Sequence, residues 1–311
     1  MAIALPEQGL IALRKSVSRR QLYSNLFAIV GLISILVALV VLVALIIHLL
    51  SQGLTSIDWQ FLTSPASSDA EEAGVFIALV GSGLVMLVTT TLAVPVGIAA
   101  GIYLEEYARK GWLADLIEIN VTNLAGVPSI VYGLLALGLF KYALNLGESI
   151  ITAGLTLALL VLPVVIVTTR EAMRAIPSSL REAAYALGAS KWRMVKDHIL
   201  PYSMGSILTG IIIGLSRAIG ETAPLVTIGA LTFITFLPDS PIQPTFPFIS
   251  FSWLLSPFTV LPIQMFSWVS RPDLAFEAKA AAAGAVLLAL TLLMNGFASF
   301  LRYRLRKGIK W

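Results

Sequence analysis

Six apolar runs, each able to supply the roughly 20 residues that cross a bilayer as a helix, leave this chain few alternatives to a membrane fold. They lie at about Leu26–Leu50, Gly74–Leu104, Leu116–Phe140, Ile150–Thr169, Tyr202–Phe236 and Ala280–Leu301. Only 12% of the 311 residues are charged and 58% are hydrophobic, where a soluble domain carries about 25% charge. The reading is an all-α integral membrane protein with six transmembrane helices. The first run is too long for a signal-peptide core and no A-x-A-like cleavage site follows it promptly, so it reads as an uncleaved span facing lipid. The fifth run is long enough for one span plus an extra piece.

Basic residues set the expected orientation. Arg14, Lys15, Arg19 and Arg20 precede the first span. Arg109 and Lys110 follow the second, and Arg170, Arg174, Arg181, Lys191, Arg193 and Lys196 follow the fourth. Arg302, Arg304, Arg306, Lys307 and Lys310 close the chain. The opposite loops hold Lys141, Arg271 and Lys279. Lysine and arginine concentrate on the cytoplasmic side, so both termini are expected there. This divides the chain into a cytoplasmic segment 1–25, a six-span domain 26–301 and a basic cytoplasmic tail 302–311. The same asymmetry accounts for the net charge of +4, and without a basic block interleaved with aromatics no nucleic-acid partner is expected. With no cysteine, disulfides and thiolate metal sites are excluded, and no H-E-x-x-H or other metal motif is present.

Within the spans, Gly97 to Gly101 (GIAAG) and Ala280 to Gly284 offer small residues four apart, which let helices approach closely. Pro95, Pro128, Pro163 and Pro224 can each kink a helix. The external loop 237–276 contains Pro238, Pro241, Pro244, Pro247, Pro257, Pro262 and Pro272, which argues against a regular helix at its start. Its later part, SWLLSPFTVLPIQMFSW, is aromatic and apolar: it lies in the interface, lines the outer mouth or simply covers the membrane surface. Glu105 and Glu106 read as a solvated helix end.

Arg217 and Glu221 are the charged side chains between Tyr202 and Phe236. Spaced four apart, they share a helix face and can pair. Charge at bilayer depth is expensive unless paired or facing a polar cavity. Two readings stand: a structural salt bridge at a broken helix, or an arginine on a translocation path that offers bidentate donors to an oxyanion while Glu221 masks it. Thr222 and Ser129 could supply hydroxyls to such a path or bond to their own helix backbone. Gly220 and Pro224 flank Glu221 and could interrupt the helix.

Residues 170–201 are too structured for a simple connector. Pro177-Ser178-Ser179 can start a helix, LREAAYAL consists largely of strong helix formers, and Gly188 can take the positive φ of a helix end. SKWRMVKDHIL resumes a helical pattern with Trp192, Val195 and Ile199 on one face, and Pro201 marks re-entry into the membrane. The residues alone allow either a surface hairpin covering the spans or a knob presented to a partner.

EAAYALGASKWRMVKDHILP (182–201) resembles the EAA loop of ABC importer permeases. Glu182, Ala183, Ala184, Gly188, Leu200 and Pro201 match the motif, and His198 stands where the family usually has isoleucine. GIYLEEYA (101–108), NLAGVPSIVYGLLALGLF (123–140), SRAIGETAPL (216–225), SPFTVLPIQMFSW (256–268) and AKAAAAGAVLLALTLLMN (278–295) are similar to PstA-type permease subunits of phosphate importers. The resemblance implies the type I ABC importer permease fold and alternating-access transport of phosphate across a prokaryotic inner membrane. It implies that Glu182, Ala183, Ala184, Gly188 and Ala189, with Leu200 and Pro201, form the contact to an ATP-binding subunit that works as a dimer. The implied further partners are a PstC-type sister permease, a periplasmic or extracellular phosphate-binding protein and membrane lipid. ATP and Mg belong to the ATPase; with no G-x-x-x-x-G-K-[ST] motif this chain binds no cofactor and is no enzyme. A permease for sulfate, molybdate or phosphonate, or the PstC-type sister itself, fits much of the same wording. An ion-coupled carrier or channel acting alone would show an internal repeat and more intramembrane carboxylates.

Overall fold

The structure, a computed structural model, describes residues 7–109, 111–230, 232–240, 242, 248 and 250–306, with side chains described between 20 and 304. Lys110, Pro241, Pro244, Pro247, Lys307 and Lys310 lie outside the described residues, as do the side chains of Arg14, Lys15, Arg19 and Arg306. Among the described residues the regular elements are helices. Five helices are long and apolar enough to cross a membrane, and a bent pair makes up to six.

The chain forms two compact units, Met1–Ser51 and Gln52–Trp311. The first is nearly all α1 (Glu7–Gly53), which from Leu26 onward is apolar around its whole circumference, the pattern of a membrane span rather than an amphipathic surface helix.

The second unit begins with α2 (Trp59–Thr63) and the long α3 (Phe76–Ile102), which continues through a wide π turn, Tyr103–Tyr107. α4 (Trp112–Leu124) and α5 (Ser129–Ala136) follow, then α6 (Ile150–Arg174), α7 (Ser178–Ala186) and α8 (Lys191–Arg193). α9 (Leu200–Ile219), α10 (Ala223–Ile228), α11 (Leu261–Val269) and α12 (Ala275–Arg306) complete it. α6 is central. Its Leu157, Val161 and Val165 join Val85 and Val88 of α3 and Ile207 and Ile211 of α9 in one buried cluster. Glycines permit this closeness: a Cβ on Gly97 would lie 2.7 Å from Val165 Cγ1, and one on Gly101 would lie 2.6 Å from Thr169 Cβ. The small-residue pair in α3 is therefore a helix-packing device.

The third apolar run does not cross as one straight helix. α4 and the helix running from Ser129 to Ala143 meet at 104°. Pro128 disfavours helical backbone at Val127 and cannot donate to the preceding turn. The Tyr132 hydroxyl donates to the Leu124 carbonyl at 2.7 Å and satisfies one of the acceptors this break frees. The fifth run is also divided. α9 stops at Ile219, α10 starts at Ala223 with proline in its first turn, and Gly229 at φ +95 ends it. Pro95 and Pro163 instead sit inside continuous helices. α5 and α10 touch where Gly133 lies against Pro224 and Thr227, leaving no room for a Cβ.

The segment 252–269 is not a surface cover. It folds as a tight turn, Ser252–Leu255, and α11, with Trp253, Phe258, Leu261, Ile263 and Trp268 buried. Trp268 packs between Phe61 and Phe276, with ring centroids 6.1 and 6.2 Å apart. α2, α11 and the start of α12 thus share one aromatic core.

Candidate functional site

α7 and α8 form a knob on a buried base. Met173, Ile176, Ala184, Met194, Val195 and Ile199 form that base. Above it Glu182, Ala183, Tyr185, Leu187 and Gly188 are exposed, and Leu187 shows 89% of its surface. The joint is a Schellman cap. Gly188 takes φ +79, its N–H donates to Tyr185 O at 2.9 Å, and the Ala189 N–H donates to Ala184 O at 3.0 Å. Ala184 and Ala189 meet at the base, the apolar contact that accompanies such a cap. The EAA residues therefore divide: Glu182 and Ala183 face out, while Ala184 is 6% exposed and holds the helix down.

Ser190 caps the next helix through its side chain. From Lys191 the backbone runs without interruption to Ile219. A π turn, Met194–Ile199, lies directly before Leu200 and Pro201. Pro201 has no N–H for a regular helical bond, and the wide turn absorbs that vacancy. It also corrects the expected apolar face: Val195 and Ile199 are buried with Met194, but Trp192 is 59% exposed. Pro201 lies within a continuous helical path.

An ionic clamp fastens the knob to the spans. Arg181 Nε and Nη2 donate to Glu106 Oε1 at 2.9 and 2.8 Å. Its Nη1 and Nη2 also donate to the carbonyls of Ile176 and Met173 at 2.7 and 2.9 Å, which serves the acceptors at the end of α6. Beside it, Arg174 Nη2 lies 3.1 Å from Glu105 Oε2 and Arg170 Nη2 lies 2.8 Å from Glu118 Oε2. Arg170 Nε is 3.7 Å from Glu105 Oε2, beyond hydrogen-bond length. Glu105 and Glu106 are thus not a solvated helix end: their side chains are 15% and 7% exposed and bind arginines of the loop. The π turn at 103–107 makes this possible by turning both carboxylates toward α6 and α7. Sequence reading missed these residues because the partners are 69 and 75 positions apart. The arginine-rich loop facing a Glu-Glu pair was the available signal.

At the other end of the Lys191–Ile219 helix, Arg217 Nε donates to Glu221 Oε1 at 3.3 Å across the break. Arg217 is 49% exposed along its side chain and Glu221 17%. The α4–α5 segment reaches the same break, where Gly133 lies against Pro224 and Thr227. Just below, Ser216 donates to Asn295 Oδ1 at 2.5 Å and ties α9 to α12. Thr222 caps α10 by its backbone, with no side-chain capping bond. Ser129 is half-buried as the first residue of α5. The two helix breaks therefore share a neighbourhood, with Arg217 as its half-exposed cation. Among the described residues no cluster of His, Cys, Asp and Glu could hold a metal ion.

Residues 93–307 match the family model described as binding-protein-dependent transport system inner membrane component. The chain is 36% identical over 231 residues to the phosphate transport system permease protein PstA of Mycobacterium leprae, covering 73% of this chain and 76% of that one. To the protein of the same name in Pasteurella multocida it is 30% identical over 283 residues, covering 90% and 94%. The match to PstA of Yersinia pestis is 46% identical over 156 residues, and spans about half of each chain, 49% and 51%. Among solved structures, an inward-facing conformation of the MetNI methionine ABC transporter is similar in fold. Its TM-score is 0.53 at 15% identity, over 75% of this chain and 94% of that one.

Proposed function

The chain belongs to the family of binding-protein-dependent transport system inner membrane components, as a PstA-type permease, and from that premise we propose that it carries inorganic phosphate across the membrane within an ATP-driven importer. It is a multi-pass protein of the plasma membrane and a transport subunit rather than an enzyme; ATP hydrolysis belongs to a separate partner. Permeases of this family work with ATPase subunits, a binding protein and a second permease. In this reading the second permease is PstC-type, the binding protein delivers phosphate from outside, and ATP and Mg stay on the ATPase dimer. The concentration of basic residues supports a cytoplasmic location for both termini and the knob.

One observation carries the mechanism: α8, the half of the knob that follows the Gly188 joint, and Arg217 are the two ends of a single uninterrupted helix, Lys191–Ile219. At 1.5 Å per residue its axis is about 40 Å long. A groove on the ATPase that grips Glu182, Ala183, Tyr185 and Leu187 would move the head of this helix. Arg181 and Glu106 would carry the ends of α3 and α6 with it. At the far end the helix yields at Gly220, so the displacement is spent on the Arg217–Glu221 pair. Paired, Arg217 is masked; with Glu221 drawn away, it offers its donors to a passing oxyanion. Such a transient site suits a carrier whose tight capture occurs elsewhere, because a permanent arginine–phosphate contact would slow release.

The test uses vesicles holding the complete importer, with ATP inside and binding protein outside. Phosphate uptake above the sulfate and molybdate backgrounds supports the assignment. Uptake of sulfate or molybdate instead of phosphate would retain the architecture and overturn the substrate.

A further inference from the structure

At the turn between α3 and α4 lies a cavity of about 450 Å³ that the transport mechanism does not use. Its wall includes Tyr103, Tyr107, Arg109, Trp112, Leu113 and Ile117. The same π turn that aims Glu105 and Glu106 at the loop arginines presents Tyr103 and Tyr107 to this cavity. Trp112 is 77% exposed and Tyr103 60%. Arg109 makes no ion pair among the described residues, while the neighbouring carboxylates Glu105, Glu106 and Glu118 are all engaged with arginines. Asp115, on the first turn of α4, is not among the lining residues. A second cation is one side chain away: Lys191 does not line the cavity, but its Nζ lies 5.1 Å from the centre of the ring of Tyr107, which does.

We propose that this cavity binds the headgroup of an anionic phospholipid. The chemistry is graded along it. Leu113 and Ile117 provide an apolar floor for the start of an acyl chain. Tyr103, Tyr107 and Trp112 have the amphipathic rings favoured at the level of headgroups. Arg109 and Lys191 supply positive charge for a phosphodiester, as basic pockets between helices do for acidic lipids. The volume falls within the range of small-molecule sites. A protein partner would have to bury an unpaired arginine here, whereas a lipid phosphate neutralises it and leaves it near water. Because Lys191 begins the helix that carries Arg217, the bound lipid would sit against the moving part of the permease.

The test is native mass spectrometry of the full chain in micelles, titrated with phosphatidylglycerol or phosphatidylcholine bearing the same acyl chains. Wild type retains phosphatidylglycerol preferentially. Arg109→Gln loses about fivefold of that preference, equivalent to about 1 kcal/mol, Arg109→Lys keeps most of it, and Trp112→Ala weakens both lipids alike. A photoreactive phosphatidylglycerol labels residues 103–117 of wild type, a readout independent of any variant. Labelling elsewhere, an unchanged preference in a folded Arg109→Gln, displacement of the lipid by excess inorganic phosphate, or cross-linking of this turn to a second permease subunit in the assembled importer would each overturn the proposal.

Discussion

Arg181 and Glu106 join the exposed loop to the core: one guanidinium holds the Glu106 carboxylate at 2.8 Å while donating to the Met173 and Ile176 carbonyls where α6 ends. The pair makes the knob and the ends of α3 and α6 one mechanical body. Glu106→Gln, which removes the charge and keeps the shape, is expected to cost about 1–3 kcal/mol. In the assembled importer it should lower uptake more than ATP hydrolysis. Thermal unfolding of the chain and the ratio of phosphate moved to ATP hydrolysed check the two halves. An unchanged ratio would mean that the clamp holds structure without transmitting motion.

Gly188 is exposed, and a Cβ there meets nothing within 4 Å, so a substitution acts through φ +79 alone. Gly188→Ala should destabilise the knob by about 1–2 kcal/mol, the cost of left-handed backbone for an L-residue. Gly188→Asn should cost less, because asparagine tolerates that region. Limited proteolysis between residues 178 and 199 would register the loosened joint. Equal effects of alanine and asparagine would contradict the Schellman assignment.

Two glycines of α3 should respond in opposite directions. Gly101 faces α6, and Gly101→Val should cost about 1–3 kcal/mol by forcing α3 and α6 apart. Gly83 is exposed with nothing within 4 Å of a Cβ, and Gly83→Ala should gain about 0.5–1 kcal/mol from helix propensity. Paired melting curves in the same detergent test both signs.

The Arg217–Glu221 pair separates a structural bridge from a path residue through a double-mutant comparison. If the pair is structural, either single alanine variant assembles poorly and the double recovers, because a lone charge at this depth is worse than none. If Arg217 serves the path, Arg217→Ala and the double variant assemble and hydrolyse ATP but transport at background rate. The geometry favours the second outcome, since Arg217 remains half exposed while paired.

Legibility tracked the range of the interactions. Gly188 was readable because a glycine closing a run of helix formers has a local physical meaning, and Arg217–Glu221 because four residues make one helical turn. The break at 220–222 followed from Gly220 and Pro224. The clamp was illegible because Glu106 and Arg181 are neighbours only once α3 and α6 have packed. Trp192 was misplaced because the π turn at 194–199 breaks the 3.6-residue period on which its face was assigned. The choice between outer mouth and surface cover stayed open for SWLLSPFTVLPIQMFSW because one partner of Trp268, Phe61, lies far along the chain.

The most direct test of the central claim, that motion of an ATPase reaches the transport path through this knob, is initial phosphate uptake by vesicles with the complete importer bearing wild-type or Leu187→Asp permease. Leu187 is 89% exposed, so the substitution leaves the fold intact and damages only a surface a partner would grip. The account predicts strictly ATP-dependent uptake in wild type and loss of uptake in Leu187→Asp, with the permease still folded and inserted. Uptake that persists in Leu187→Asp, or that proceeds in wild type without the ATPase, would contradict it.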